Sequence, residues 1–139
     1  LDVLMHKKIF NKAAINPDNF KVTLYDLSNK AVPKEELSAG EKQIYAIPIL
    51  WALAKTSGRA LPFIVDTPLG RLDSEHRLNL VQNFFPVASH QVIIFSTDTE
   101  IDKQYFEELS NDIARSFQLD YNNSEGRTIV DKGYFWRTK

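Results

Sequence analysis

Two short apolar runs constrain this chain more than any other feature. Leu61-Pro62-Phe63-Ile64-Val65 and Val92-Ile93-Ile94-Phe95 are continuous rather than alternating. That is the pattern of strands covered on both faces, as in parallel sheets. Helical spacing from about Ser74 to Phe85 lies between them, so the three segments read as one strand–helix–strand unit. Both runs end in polar residues, the first in Asp66-Thr67 and the second in Ser96-Thr97-Asp98. In open parallel sheets, ligands bind outside the carboxyl ends of the strands. If the two strands are parallel, these groups share one rim, where carboxylates and hydroxyls could hold a hydrated Mg²⁺ and a phosphate. Taken alone, Asp66 also reads as a residue that merely caps a loop.

The rest of the chain falls into place around this unit. Leu1, Leu4, Met5 and Ile9 have helical spacing, which predicts the end of a helix from Leu1 to about Ala14, stopped by the turn cluster Asn16-Pro17-Asp18-Asn19. Phe20, Val22 and Leu24 alternate with polar neighbours, the period of a half-buried strand, and Ser28-Asn29-Lys30 can turn it back. A long helix is expected from about Ser38 to Ser57. Ser38 and Glu41 fit a capping box at its start, and Gly58 follows its end. Ile44, Ala46, Ile47, Ile49, Leu50, Trp51 and Leu53 leave it little polar face, so burial is expected, with a kink at Pro48. A further helix runs from about Ile101 to Leu109. The last third reads as an antiparallel pair, Ala114 to Tyr121 and Arg127 to Asp131, joined through Asn122 to Gly126. The 139 residues show no repeat and no linker, so a single domain over 1–139 is expected.

Composition removes several classes of function. Cys is absent, which excludes a disulfide scaffold, a thiolate metal site and a Cys nucleophile, and suits a reducing cytoplasm. The formal net charge of −1 provides no field that would draw in DNA unaided. The longest apolar run, Ile44 to Ala54 with Pro48 counted in, falls short of the roughly 18 residues of a membrane span. Lys7 and Lys8 interrupt the place where a signal peptide would need its apolar core. The first residue is Leu1 rather than Met, which suggests a piece of a longer protein.

Ser38-Ala39-Gly40 opens a helix, and a helix N-terminus offers free N–H groups and a positive dipole end to a phosphate. An ordinary capping box explains the same residues. None of the five glycines precedes a Lys-Ser or Lys-Thr pair, so no G-x-x-x-x-G-K-[ST] loop is present to grip β- and γ-phosphates.

In combination these parts resemble one known family. Leu37-Ser38-Ala39-Gly40-Glu41-Lys42-Gln43 is similar to the signature motif of ATP-binding-cassette ATPases. The apolar strand ending in Asp66 resembles Walker B, Leu72-Asp73 the D-loop, and Gln91 to Asp98 the switch strand, all in the family's order. The implied fold is α/β: the C-terminal lobe of a P-loop, ABC/SMC-like ATPase head, a mostly parallel sheet flanked by helices with a C-terminal antiparallel hairpin. The N-terminal lobe with its Walker A loop would then come from elsewhere, across a coiled coil of which residues 1–14 would be the stub. A plain surface helix is the alternative for those residues. From Pro33 to Asp102 the wording is closer still. Residues 37–47, 50–59, 66–77 and Ser-Thr-Asp-Thr-Glu at 96–100, with Gly-Tyr-Phe-Trp at 133–136, resemble the DndD family, the SMC-like ATPases of bacterial DNA sulfur modification. That resemblance implies a cytoplasmic role in DNA phosphorothioation beside DndC-like and DndE-like partners and DNA.

It also implies roles. Two heads would sandwich ATP with Mg²⁺. Asp66 would hold Mg²⁺ through water, while Ser38, Ala39, Gly40 and Glu41 would form the signature tip that meets the γ-phosphate bound to the second head. Asp73 would reach across that dimer. The chain departs from the general pattern at Thr67, where the family usually has Glu, and at Thr97, where it usually has His. A Thr hydroxyl is no acid–base group near pH 7, so Asp98 is the candidate carboxylate. An ATPase is the leading expectation; an ATP-gated clamp with little hydrolysis and an SMC-like DNA-repair ATPase are the alternatives. Without a Walker A loop, this chain by itself is expected to bind no ATP. His6, His76 and His90 lack ligand spacing, Arg71 and Arg77 read as ion-pair residues, and Lys7, Lys8, Lys12 and Lys21 as a solvated face. Phe135 and Trp136 are expected to pack on the hairpin.

Overall fold

The computed structural model describes residues 11–136. Its first elements are three short antiparallel strands: β1 (Lys12–Ile15), β2 (Val22–Tyr25) and β3 (Ala31–Val32), with β2 in the middle. The expected helix therefore does not extend to Ala14, because Ala13 pairs with Leu24 and Ala14 with Thr23. The part of that expectation covering Leu1–Phe10, and with it the coiled-coil stub, lies outside the described residues. The Asn16 cluster is a hairpin turn rather than a helix stop. Asn16 Oδ1 accepts from the Asp18 amide at 2.8 Å, and the Phe20 amide returns to the Asn16 carbonyl. The second turn behaves as expected: Asp26 Oδ1 accepts from the Ser28 and Lys30 amides, with Asn29 in the left-handed region.

A 3-10 turn over Lys34–Glu36 leads into helix α1 (Ala39–Thr56), which runs through the buried Pro48. Strand β4 (Phe63–Asp66) follows, then α2 (Ser74–Asn79), a π-helical turn over Leu80–Phe84 and α3 (Phe85–Ala88). The expected single helix is thus widened in its last turns. Pro86 has no N–H to donate and its ring crowds the carbonyl four residues back; an i→i−5 turn, seen in the Phe85 amide bonding Leu80 O, makes room for it. Strand β5 (Val92–Phe95) pairs in parallel with β4, Phe63 opposite Val92 and Asp66 opposite Phe95. Helix α4 (Lys103–Glu108) and the antiparallel hairpin β6 (Phe117–Asn122) and β7 (Arg127–Lys132) complete the chain.

The fold is mixed α/β, with a parallel sheet flanked by helices and a C-terminal antiparallel hairpin, as expected; the parallel sheet is a pair of strands. Its core is built where α1, β4 and the α2–α3 segment meet. Phe84 lies edge-on to Trp51 at 5.7 Å and to Phe63 at 5.6 Å, and Trp51 Nε1 donates to the Ala88 carbonyl at 2.7 Å. Leu24, Leu69, Leu80 and Val81 are almost wholly buried. One expectation fails in a telling way. Phe63 and Val65 are covered, but Ile64 on the opposite face of β4 is 57% exposed and Phe95 is 48% exposed. The described helices cover one side of the parallel pair and leave the other apolar and open.

Candidate functional site

The parallel register places the two polar strand ends side by side. Asp66 is the last residue of β4, opposite Phe95, and the Thr67 amide donates to the Phe95 carbonyl at 2.9 Å, carrying the ladder one step past the strand. Asp66, Thr67, Thr97 and Asp98 are exposed at this end of the sheet. Thr67 turns the chain with φ of +46°, a conformation in which a β-branched residue is a genuine outlier. Such strain costs about 1–3 kcal/mol and persists only where neighbours enforce it.

One of those neighbours comes from α1. Gln43 Nε2 donates to the Thr67 carbonyl at 2.9 Å and to the Pro68 carbonyl at 2.6 Å, using both amide protons. Gly40, one turn earlier, lies against the same loop: a Cβ at this position would come within 2.6 Å of the Arg71 carbonyl. This flank of Gly40 is therefore occupied by the chain's own backbone. At the tip, Ser38 and Glu41 form the full reciprocal box, the Glu41 amide donating to Ser38 Oγ at 3.2 Å and the Ser38 amide to Glu41 Oε2 at 2.7 Å. The Ser38 bonds hold the Glu41 carboxyl below its ordinary range. Ser38 and Ala39 remain exposed.

The loop after Asp66 is also held from the opposite side. Glu100 is 3% exposed, and its Oε1 accepts from the Leu69 amide. Glu100 belongs to the segment following Thr97, whose carbonyl receives the Glu100 and Ile101 amides. Tyr134 steadies that segment: its hydroxyl lies 2.8 Å from Ser96 Oγ and donates toward the carbonyls of Thr97 and Ile101 at 3.3 and 3.1 Å. Burial pushes the Tyr134 phenol up, opposed by the Ser96 hydrogen bond and reinforced by Glu100, Asp98 and Asp102, so it stays protonated. Trp136 lies edge-on to Phe106 of α4 at 5.7 Å and, with the exposed Phe135, lines one cavity together with Phe117 and Lys132 of the hairpin.

Asp73 sits at the end of the loop as the N-cap of α2. Its Oδ1 accepts from the His76 amide at 2.9 Å and contacts His76 Nδ1 at 2.8 Å, which lowers its carboxyl. Arg77 Nε donates to the Leu72 carbonyl at 2.9 Å, and neither Arg77 nor Arg71 forms an ion pair among the described residues. No group of three His, Asp or Glu side chains able to hold a metal ion occurs among the described residues. Asp66 alone fits Mg²⁺ in a more limited way. Its exposed carboxylate has no hydrogen-bond partner among the described residues, and Mg²⁺ is commonly held by one or two carboxylates plus substrate phosphates rather than a protein cage.

Gln43, Glu100 and Tyr134 escaped the sequence analysis as site residues. Each lies inside one of the stretches that carry the resemblance, 37–43, 96–100 and 133–136, but all three act through partners distant in the chain.

No family model matches the chain, and no curated protein matches it. No helix among the described residues is long and apolar enough to cross a membrane. Solved structures do share its fold. One, described as "Structural biochemistry of ATP-driven dimerization and DNA stimulated activation of SMC ATPases", superposes with a TM-score of 0.59 at 14% identity, over 91% of this chain and 77% of that one. An SMC head domain from Thermotoga maritima gives a TM-score of 0.55 at 14% identity, over 96% of this chain and 45% of its own length. The chain thus spans less than half of that head domain, and its fold is that of part of an SMC ATPase head.

Proposed function

We propose that this chain is the C-terminal lobe of an SMC-like ATPase head, bringing the signature tip, the metal-side acid and the D-loop to a composite ATP site. The observation that carries this is the parallel β4–β5 pair with Asp66 and Thr97 on one rim, beside the tip of α1, within an SMC-head fold. The open apolar face at Ile64 and Phe95 supports a missing companion lobe, the one with the Walker A loop.

In this reading ATP and Mg²⁺ supply the reacting phosphate and its neutralising charge. Asp66 would hold Mg²⁺ through water, in cis. The Ser38 hydroxyl and the α1 N-terminus, made positive by its free amides, face the γ-phosphate of a second head, so nucleotide links the two heads. Asp98 takes the role of general base in place of Thr67, and Asp73 faces the partner head. The wording of 37–47, 66–77 and 96–100 extends the reading to DNA phosphorothioation in the bacterial cytoplasm, with DndC-like and DndE-like partners and DNA.

The test is ATP turnover by the full-length protein, with and without DNA. Asp66→Ala should abolish it, and Asp98→Ala should lower it at least tenfold. Unchanged turnover in Asp98→Ala removes that residue from the mechanism, and no turnover above buffer leaves the second reading, an ATP-gated clamp. The absence of a carboxylate at Thr67, whose hydroxyl cannot serve as a base, favours that second reading.

A further inference from the structure

Building on the proposed ATPase reading, we infer that Gln43 is a positioning residue that ties the signature tip to the metal-side rim within one lobe. It sits on α1 just beyond Ser38 and Gly40, and its side chain reaches two consecutive carbonyls of the loop that starts at Asp66. Those carbonyls belong to Thr67, in the left-handed region, and to the buried Pro68. A strained turn keeps its shape only while its surroundings specify it. Thr67 is specified from two directions, by the Phe95 carbonyl on its amide and by Gln43 on its own carbonyl.

Gly40 adds a second, independent join between the same two elements, through close contact with the Arg71 carbonyl. Helix and loop therefore cannot shift separately near this end of α1. A displacement of the Ser38 tip on meeting a γ-phosphate moves Gln43, and Gln43 moves the peptide that follows the metal-binding acid. One lobe thereby links the nucleotide it touches in the second head to the nucleotide whose metal it holds.

The full-length protein tests this with Gln43→Ala, with the isosteric Gln43→Glu, which loses the donor, and with each in a Thr67→Asn background. Asparagine tolerates the left-handed region, so it has less need of the clamp. Four quantities are read: ATP affinity, kcat, KM, and hydrogen exchange of residues 66–73 with and without ATP. Gln43→Ala and Gln43→Glu should lower kcat at least tenfold, leave KM and ATP affinity within twofold, and at least halve the slowing of exchange that ATP causes at 66–73, the Gly40 contact retaining the remainder. In the Thr67→Asn background the same changes should cost threefold or less.

Equal losses in both backgrounds, or unchanged kcat and exchange in a variant that still binds ATP, would overturn the role of Gln43 alone. Absence of ATP binding by the native protein would instead remove the ATPase reading, and the inference with it. If Gln43→Ala fails to fold, Gln43→Glu, which preserves volume, decides.

Discussion

The carboxylate of Glu100 accepts a hydrogen bond from the amide of Leu69, and both residues are buried. This bond joins the loop after β5 to the loop after β4, so the two halves of the rim move as one. Replacing Glu100 by Ala leaves the Leu69 N–H without a partner in a dry site. A loss of about 1–3 kcal/mol is expected, with Glu100→Gln, which keeps an acceptor, losing less. Urea unfolding midpoints of the full-length protein measure it, and equal losses in both variants would count against the Leu69 bond as the cause.

Gly40→Ala sets two effects against each other. Alanine is favoured over glycine in a helix by roughly 0.5–1 kcal/mol. Its methyl would meet the Arg71 carbonyl at 2.6 Å, a backbone atom with little freedom to yield, and overpacking of this kind costs about 1–3 kcal/mol. Net destabilisation is expected, read as a lower thermal midpoint. A raised midpoint would show that the Arg71 loop gives way freely.

Trp51 separates packing from hydrogen bonding. Trp51→Phe keeps a ring against Phe84 and loses the bond to the Ala88 carbonyl, for a cost of about 1 kcal/mol. Trp51→Ala also loses the ring, and about 3 kcal/mol is expected. Chemical denaturation of the pair distinguishes the two contributions.

Acid should weaken the site region through Glu41 and Asp73. Both carboxyls are held below their ordinary values, Glu41 by Ser38 and Asp73 by His76. A depressed folded pKa gives stability that is fully present above the unfolded value and is lost as pH falls through the folded one. Unfolding midpoints should therefore stay level with respect to these groups down to about pH 4 and fall below it. In Glu41→Gln and Asp73→Asn that acid-dependent part should shrink, and an unaltered slope would locate the effect elsewhere.

Much of the fold was legible because its causes are local. The two-residue alternation of Val22–Tyr25, the reciprocal cap of Ser38 and Glu41, the Asp26–Lys30 turn and the Asn122–Gly126 turn each depend on residues no more than a few positions apart. The continuous runs around Ile64 and Ile93 foretold a parallel pair, although the described residues cover one face of it and leave Ile64 and Phe95 open on the other. The widened turn before Pro86 was also written locally, yet helical periodicity hides a single i→i−5 step.

The linear order of residues determined most of the elements, and the polar ends of two apolar runs that share one rim once those runs pair in parallel. Tertiary structure alone decided that Lys12–Ile15 is a strand, since it becomes one only by pairing with Val22–Tyr25. It also decided how the rim is held: by Gln43 on Thr67, Gly40 against Arg71 and Glu100 on Leu69, each joining residues more than twenty positions apart. Local propensity carries no information about such pairs, because the energy of a buried hydrogen bond or a close backbone contact exists only after the elements that bear it have docked.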